Sequence, residues 1–164
     1  MTLSRRQLFA LPALWSLVGL HAPLARALDG PVGKVVLSVT GHVGRPNAGG
    51  RADFDMAMLE KLPQHSFTTA TPWYPEPKTF TGPLLRDVLA AAGAKGSSLR
   101  AVALNDYKID IPAEDADRFP VIVARLLDGK PMAVREKGPL FIVYPFDSSA
   151  ELRSERYYSR SAWQ

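Results

Sequence analysis

The chain has 164 residues, no cysteine and a formal net charge of +4. Residues 1–27 hold three of the 20 basic side chains and none of the 16 acidic ones, so residues 28–164 carry a net charge of only +1. A near-neutral domain gives no electrostatic reason to expect nucleic acid or an anionic membrane as a partner, and the lack of cysteine excludes disulfides.

Residues 1–27 are predicted to be an export signal. Arg5 and Arg6 precede the apolar residues 8–20, a stretch too short for a membrane-spanning helix of about 20 residues. Small residues at Ala25 and Ala27 predict cleavage after Ala27, with an uncleaved anchor as the alternative. The start of the chain resembles a twin-arginine signal, and a Sec signal is the other route. We therefore expect a periplasmic protein that is not inserted in the membrane after cleavage.

The first half of the mature chain predicts two strands, at residues 35–40 and 66–71, from their β-branched composition. A short helix is expected to begin at Asp53 or Asp55 and to end before Pro63, with Phe54, Met58 and Leu59 turned inward. The proline-rich residues 74–79 predict a surface loop. Gly82-Pro83 predicts the start of a second helix over 84–92, which Gly93 closes.

The second half predicts mostly short strands. Strands are expected at 99–104 and 107–111, joined at Asn105-Asp106, and at 121–126, with a helical turn over 113–117 and a tight turn over 128–130. The apolar residues 140–144 predict a central strand, and 151–158 a charged helical or irregular segment. Together the elements predict one α+β domain over residues 28–164, a mixed sheet with short helices.

Two segments resemble the molybdopterin-binding fold of sulfite-oxidase-type enzymes. The first is Phe80-x-Gly82-Pro83-Leu84-Leu85-x-Asp87-Val88-Leu89, similar to the family's aromatic-x-Gly-x-x-Leu-x-x-Leu-Leu pattern. The second is Leu127-Asp128-Gly129-Lys130-Pro131-Met132 with the following Gly138-Pro139-Leu140, similar to its (N/D)-G-x-P-L turn and next strand. Their order and spacing match the family, and the resemblance implies its fold.

The chain departs from those enzymes at the cysteine that binds molybdenum. The corresponding region, residues 69–71, holds no thiol, and a hydroxyl is a poor substitute for a thiolate. The chain resembles more closely the small standalone periplasmic pterin-binding proteins of this fold. These lack the cysteine, bind reduced pterins without metal, and signal to an inner-membrane protein that makes or degrades cyclic di-GMP. That resemblance rests on residues 71–73, 80–89, 103–107, 134–139 and 157–164.

The resemblance implies a non-catalytic sensor. Its ligand would be a reduced, metal-free pterin, and its partner the periplasmic region of an inner-membrane signalling protein. One alternative is a molybdopterin-dependent oxidoreductase subunit, and another is an interaction module with a vestigial pocket. Metal and hydrolase sites are not expected, because His42 and His65 lack ligand spacing and no nucleophile motif occurs.

A pterin ring has a donor edge that suits a carboxylate, an oxygen that suits an N–H group, and faces that suit aromatic rings. Candidate ring-binding residues lie at predicted strand ends and loops: Trp73, Asn105, Asp106, Tyr107, Arg135, Gly138 and Tyr144. The aromatic and basic end of the chain suggests partner binding by Tyr157 and Arg160. For each residue a structural role is the alternative, namely packing for the aromatic rings, a turn for Asp106 and a solvated loop for Arg135.

Overall fold

The computed structural model describes residues 28–164, and the predicted export signal lies outside the described residues. They form a single mixed α+β domain, as predicted. Its helices are α1 (Met56–Lys61), α2 (Leu85–Ala92), α3 (Ala113–Arg118) and α4 (Glu155–Ser159). Its strands are β1 (Val35–Val39), β2 (Ala52–Asp55), β3 (Gln64–Thr71), β4 (Tyr74–Pro83), β5 (Ser98–Val102), β6 (Lys108–Pro112), β7 (Ile122–Ala124), β8 (Leu126–Leu127), β9 (Lys130–Pro131), β10 (Phe141–Val143) and β11 (Ala162–Trp163).

Within residues 28–164 the strands form several small antiparallel sheets, and the single mixed sheet that the sequence predicted does not form. One has the order β3-β4-β8-β9, a second has β11-β10-β7, and β1-β2 and β5-β6 are separate pairs. The end of β4 passes beside β7, where Leu84 and Ile122 form a single bridge. Strand β10 is central in its sheet, which confirms the prediction for residues 140–144.

Helix α2 begins at Leu85, one residue after the predicted start, and Gly82 and Pro83 before it belong to β4. Gly82 is required where β4 meets β7, since a Cβ atom there would overlap the carbonyl oxygen of Val123. Gly93 ends the helix in the left-handed conformation at φ +62°, as predicted.

The short helix predicted to begin at Asp53 or Asp55 starts from Asp55 and ends before Pro63, as expected. Asp55 is its N-cap, and its carboxylate accepts a 2.8 Å hydrogen bond from the Met58 amide. Phe54 is buried as predicted, but in strand β2 rather than on the helix, because residues 52–55 pair with β1.

The prediction of a surface loop at residues 74–79 was wrong. These residues begin β4, which pairs with β3 over most of its length. A bulge lies opposite them, between Thr69 and Thr71, and neither Pro75 nor Pro77 has a pairing partner in β3. Because a missing N–H costs nothing at an unpaired position, the strand tolerates both prolines.

One hydrophobic core joins the sheets to the helices. Its largest fully buried side chains include Phe54, Phe80, Phe141, Tyr144 and Phe146. Across residues 28–164 no helix combines the length and apolar character needed to cross a bilayer.

Candidate functional site

A cleft of about 420 Å³, here called the aromatic cleft, lies between the β3–β4 turn, the β5–β6 turn and the last residues of the chain. Four of its residues carry aromatic rings and one carries a carboxylate. It is lined by Pro72, Trp73, Asn105, Tyr107, Glu155, Tyr158, Ser159, Ser161 and Trp163. Three of the seven predicted ring-binding residues, Trp73, Asn105 and Tyr107, therefore lie together in one cleft.

Trp73 is positioned by the tight connection between β3 and β4. Thr71 and Tyr74 pair across the end of this hairpin, which leaves Pro72 and Trp73 at its tip. The half-buried indole lies 5.2 Å from the ring of Trp163 and 5.4 Å from that of Phe141, centroid to centroid. Edge-to-face contacts of this kind hold rings in defined orientations. The wall that Trp73 contributes is therefore continuous with the core.

Asn105 and Tyr107 enter the cleft from the β5–β6 turn. The Tyr107 hydroxyl donates a 2.6 Å hydrogen bond to the carbonyl oxygen of Ser159 at the end of α4. The Asn105 side-chain oxygen accepts a 3.1 Å bond from the Tyr107 amide, which assigns its Oδ1 and leaves its NH₂ group as a donor. The turn is thus fastened to the opposite wall of the cleft.

Asp106 lies in the same turn but does not line the cleft. It adopts the left-handed conformation at φ +64°, and its amide donates to the carbonyl oxygen of Ala103. Aspartate and asparagine tolerate this conformation better than other non-glycine residues. This geometry supports the alternative role of Asp106 as a turn residue.

The C-terminal wall of the aromatic cleft comes from α4 and β11. It supplies Tyr158, Trp163 and the carboxylate of Glu155. Tyr158 packs 4.8 Å from the ring of Phe146, and Trp163 packs 5.2 Å from that of Phe141. The aromatic spacing at the end of the chain was the available signal for these residues, but sequence alone did not show which rings face a cavity.

Tyr144 and Arg160 are both engaged with a buried carboxylate instead of a ligand or partner. Asp115, 1% exposed, accepts 2.8 Å hydrogen bonds from the Tyr144 hydroxyl and the Arg160 guanidinium. Burial, with the Asp115 hydrogen bond adding to it, raises the pKa of the fully buried Tyr144 far above its usual value. Tyr144 is therefore a core residue, because a buried hydroxyl and a buried carboxylate satisfy each other.

Tyr157 is also turned inward, with only 2% exposure. Its hydroxyl donates to Glu151 at 2.8 Å, and Arg160 lies over its ring at 5.2 Å. Burial raises its pKa, with the contact to Glu151 adding to the effect. The pair predicted to bind a partner, Tyr157 and Arg160, instead anchors helix α4 to the domain because both have partners within it.

Arg135 lies in a different depression, here called the charged cleft, of about 520 Å³. Its lining carries charges of both signs on long side chains. It is lined by Tyr74, Pro75, Glu76, Lys78, Leu127, Arg135, Glu136 and Lys137. Gly138 lines neither cleft. It is buried against Met132, and a Cβ atom at this position would overlap the Met132 carbonyl oxygen. The structure therefore separates Arg135 and Gly138 from Trp73.

Thr69 and Thr71 lie where the resemblance to the molybdenum enzymes places a cysteine, and both side chains are engaged within the domain. The Thr69 hydroxyl is buried and accepts a 3.0 Å bond from the Asp147 amide, while the Thr71 hydroxyl accepts from the Trp73 amide at 3.3 Å. The first bond ties β3 to the turn that contains Asp147, and the second holds the tip of the β3–β4 hairpin. Within residues 28–164 no group of three histidine, aspartate or glutamate side chains is arranged to hold a metal.

The chain matches no protein-family model, and no curated protein matches its sequence.

Proposed function

We propose that residues 28–164 form a pterin-binding domain of the sulfite-oxidase type, with the ring held in the aromatic cleft. The observation that carries the proposal is the convergence of Trp73, Asn105 and Tyr107 on one cleft. The sequence predicts ring binding for all three residues. Trp73 lies in the β3–β4 turn, and the other two lie in the β5–β6 turn.

The dimensions and chemistry of the aromatic cleft suit a flat heterocycle. Its volume of about 420 Å³ lies within the range of roughly 300–1,000 Å³ typical of small-molecule sites. Trp73, Tyr158 and Trp163 offer ring faces or edges, and each aromatic contact with a heterocycle contributes about 1–3 kcal/mol by analogy with base stacking. Glu155 and Asn105 add an acceptor and a donor for the ring's polar edge.

The side chains available to hold a metal favour a protein that binds the ring without catalysing a reaction. A molybdopterin would bring molybdenum, which in the related enzymes is held by a thiolate, and the chain has no cysteine. The threonine hydroxyls of the corresponding region already bind backbone amides. A metal-free reduced pterin is therefore the proposed ligand, and an oxidoreductase role is the less favoured alternative.

We propose that the protein acts in the periplasm as a sensor that reports pterin to an inner-membrane cyclic di-GMP signalling protein. The support is the resemblance at residues 80–89, 103–107 and 157–164 together with the signal-like residues 1–27. Tyr157 and Arg160 are occupied inside the domain, so a partner would contact other surfaces.

Purification from the periplasm tests this function. The protein should contain, or bind on addition, a reduced pterin detected by fluorescence of the oxidised, denatured extract, with molybdenum absent by metal analysis. Stoichiometric molybdenum would contradict the sensor role in favour of the oxidoreductase. Absence of pterin, together with no binding of added tetrahydropterin in calorimetry, would contradict the proposed site.

A second candidate function is supported by the same cleft. Aromatic rings beside a carboxylate are a common arrangement for binding alkylammonium groups, and no basic side chain lines the aromatic cleft. Choline in the same calorimetric experiment separates the two. Binding of choline without binding of tetrahydropterin would replace the pterin by a cationic amine.

A further inference from the structure

Glu155 is the only carboxylate among the residues that line the aromatic cleft. It is the first residue of helix α4 and is exposed. The sequence prediction assigned the acidic role to Asp106, which lies in the turn outside this cleft. The structure therefore offers a different acid on the opposite wall.

Within residues 28–164 the Glu155 carboxylate makes no hydrogen bond and no ion pair, in contrast to its neighbour Glu151. Glu151 accepts from the Tyr157 hydroxyl at 2.8 Å and pairs with Arg118 at 3.3 Å. Glu151 therefore holds the fold together, while Glu155 keeps all its acceptor sites for a ligand.

A second polar group of defined polarity lies in the same cleft. Because the Asn105 oxygen is taken by the Tyr107 amide, its NH₂ group is the part left to contact a ligand. The aromatic cleft thus offers a carboxylate acceptor and an amide donor beside its rings. A pterin presents the matching set, with an N–H and an amino group side by side and a carbonyl oxygen next to them.

We infer that Glu155 determines specificity, selecting rings with a 2-amino-4-oxo edge and rejecting those with two carbonyl groups. A carboxylate accepts two parallel bonds from the N–H and the 2-amino group. In a lumazine the amino group is replaced by a carbonyl oxygen, which faces the carboxylate without a proton. A site built on such bonds rejects a ligand that lacks a donor more strongly than one that lacks a methylene. This inference rests on the proposed function.

The test compares tetrahydropterin with tetrahydrolumazine by anaerobic calorimetry, because the two rings differ only in the group at position 2 and in the proton on the adjacent ring nitrogen N1. The wild-type protein should prefer tetrahydropterin by at least about tenfold, which corresponds to about 1.4 kcal/mol. In Glu155→Gln the affinity for tetrahydropterin should fall about tenfold and the preference should shrink to less than about threefold.

Glu114→Gln is the matched control, since Glu114 is also an exposed acid in the first turn of a short helix, α3, away from the cleft. It should keep both the affinity and the preference. Circular dichroism melting confirms that each variant is folded. If the wild-type protein binds both rings equally, or Glu155→Gln keeps the preference, the inference is overturned while the pterin site stands. Failure of the wild-type protein to bind either ring would overturn the proposed function instead.

Discussion

The aromatic cleft and the charged cleft are of similar size but differ in how their walls are held. Trp73 and Tyr74 are neighbours in the chain, yet Trp73 lines the first and Tyr74 the second. Trp73 packs on Phe141 and Trp163. Tyr74 packs on Phe80 on one side and has the Lys137 ammonium 4.8 Å from its ring on the other.

The ion pairs near the two clefts also differ in how far they are buried. Beneath helix α4, Asp115 and Arg160 form a pair in which the carboxylate is 1% exposed. At the charged cleft, Lys78 and Asp128 form a pair in which the two side chains are 30% and 48% exposed. Exposed pairs contribute little to stability and hold their geometry weakly. Rigid walls lower the free-energy cost of binding, so preorganisation rather than volume distinguishes a binding site from a surface depression.

The largest expected effect is that of Trp73→Ala. Pterin affinity should fall at least tenfold, and the free energy of unfolding should fall by about 3 kcal/mol because the indole packs on the core. Calorimetry and urea denaturation measure the two quantities. Phe54→Leu, a core variant in β2, is the control that should lose stability without losing affinity. Equal loss of affinity in both variants would mean that the aromatic cleft is not the site.

Breaking the buried pair beneath α4 should cost nearly as much stability. Asp115→Asn leaves Arg160 without its carboxylate, and removing one partner of a buried pair costs about 3 kcal/mol. Urea denaturation measures the loss. The double variant Asp115→Asn with Arg160→Met should recover part of it. A loss within experimental error would show that the pair does not anchor the wall.

Removing one hydroxyl from each cleft sharpens the comparison further. Tyr107→Phe deletes the 2.6 Å bond to the Ser159 carbonyl oxygen, and a neutral hydrogen bond contributes about 1 kcal/mol. The free energy of unfolding should therefore fall by about 1 kcal/mol. Pterin affinity should fall as well, because the turn that carries Asn105 is no longer tied to α4. Tyr74→Phe makes the same chemical change in the charged cleft and should leave the affinity unchanged. The opposite result would place the ligand in the charged cleft.

Acid should loosen the charged cleft but not the β5–β6 turn. The Lys78 hydrogen bond, together with the Thr79 amide, lowers the pKa of Asp128. Because the folded-state pKa is lowered, this contact is fully present above the unfolded value of about 3.9 and is lost as the pH falls through the lower folded value. In NMR spectra the Thr79 amide should titrate below about pH 3.9. The Tyr107 amide, which donates to a neutral asparagine oxygen, should not follow that titration.

The smallest expected effect is that of Arg135→Ala. Arg135 lines the charged cleft and not the aromatic cleft, so pterin affinity should stay within about twofold of the wild-type value. Calorimetry under the same conditions measures it. A tenfold loss would support the original sequence prediction that Arg135 contacts the ring.

Local signals in the sequence predicted the fold class and several element ends. Gly93 and the Asp55 cap act within one turn of the backbone, so their effect is visible without tertiary structure. Residues 74–79 were mispredicted because the bulge that accommodates Pro75 and Pro77 lies in the partner strand β3. The sequence of residues 74–79 alone does not show which strand pairs with them or where that strand has a bulge.

The site was predictable only in part for a related reason. Trp73, Asn105 and Tyr107 lie on turns, where sequence indicates exposure and polarity. The roles of Tyr144, Tyr157 and Arg160 depend on Asp115 and Glu151, which reach them across the fold. Glu155 was missed because its distinguishing property is the lack of a partner, which sequence cannot show.

The placement of Trp73 and Trp163 gives the domain a built-in optical probe. The chain has three tryptophans, and the third, Trp15, belongs to the predicted export signal. Both tryptophans of residues 28–164 line the aromatic cleft, with ring centroids 5.2 Å apart. All indole emission of residues 28–164 therefore originates at the proposed site. Occupancy should be visible as quenching of that emission, and as a change in the exciton signal of the coupled indoles in near-ultraviolet circular dichroism, without any added label.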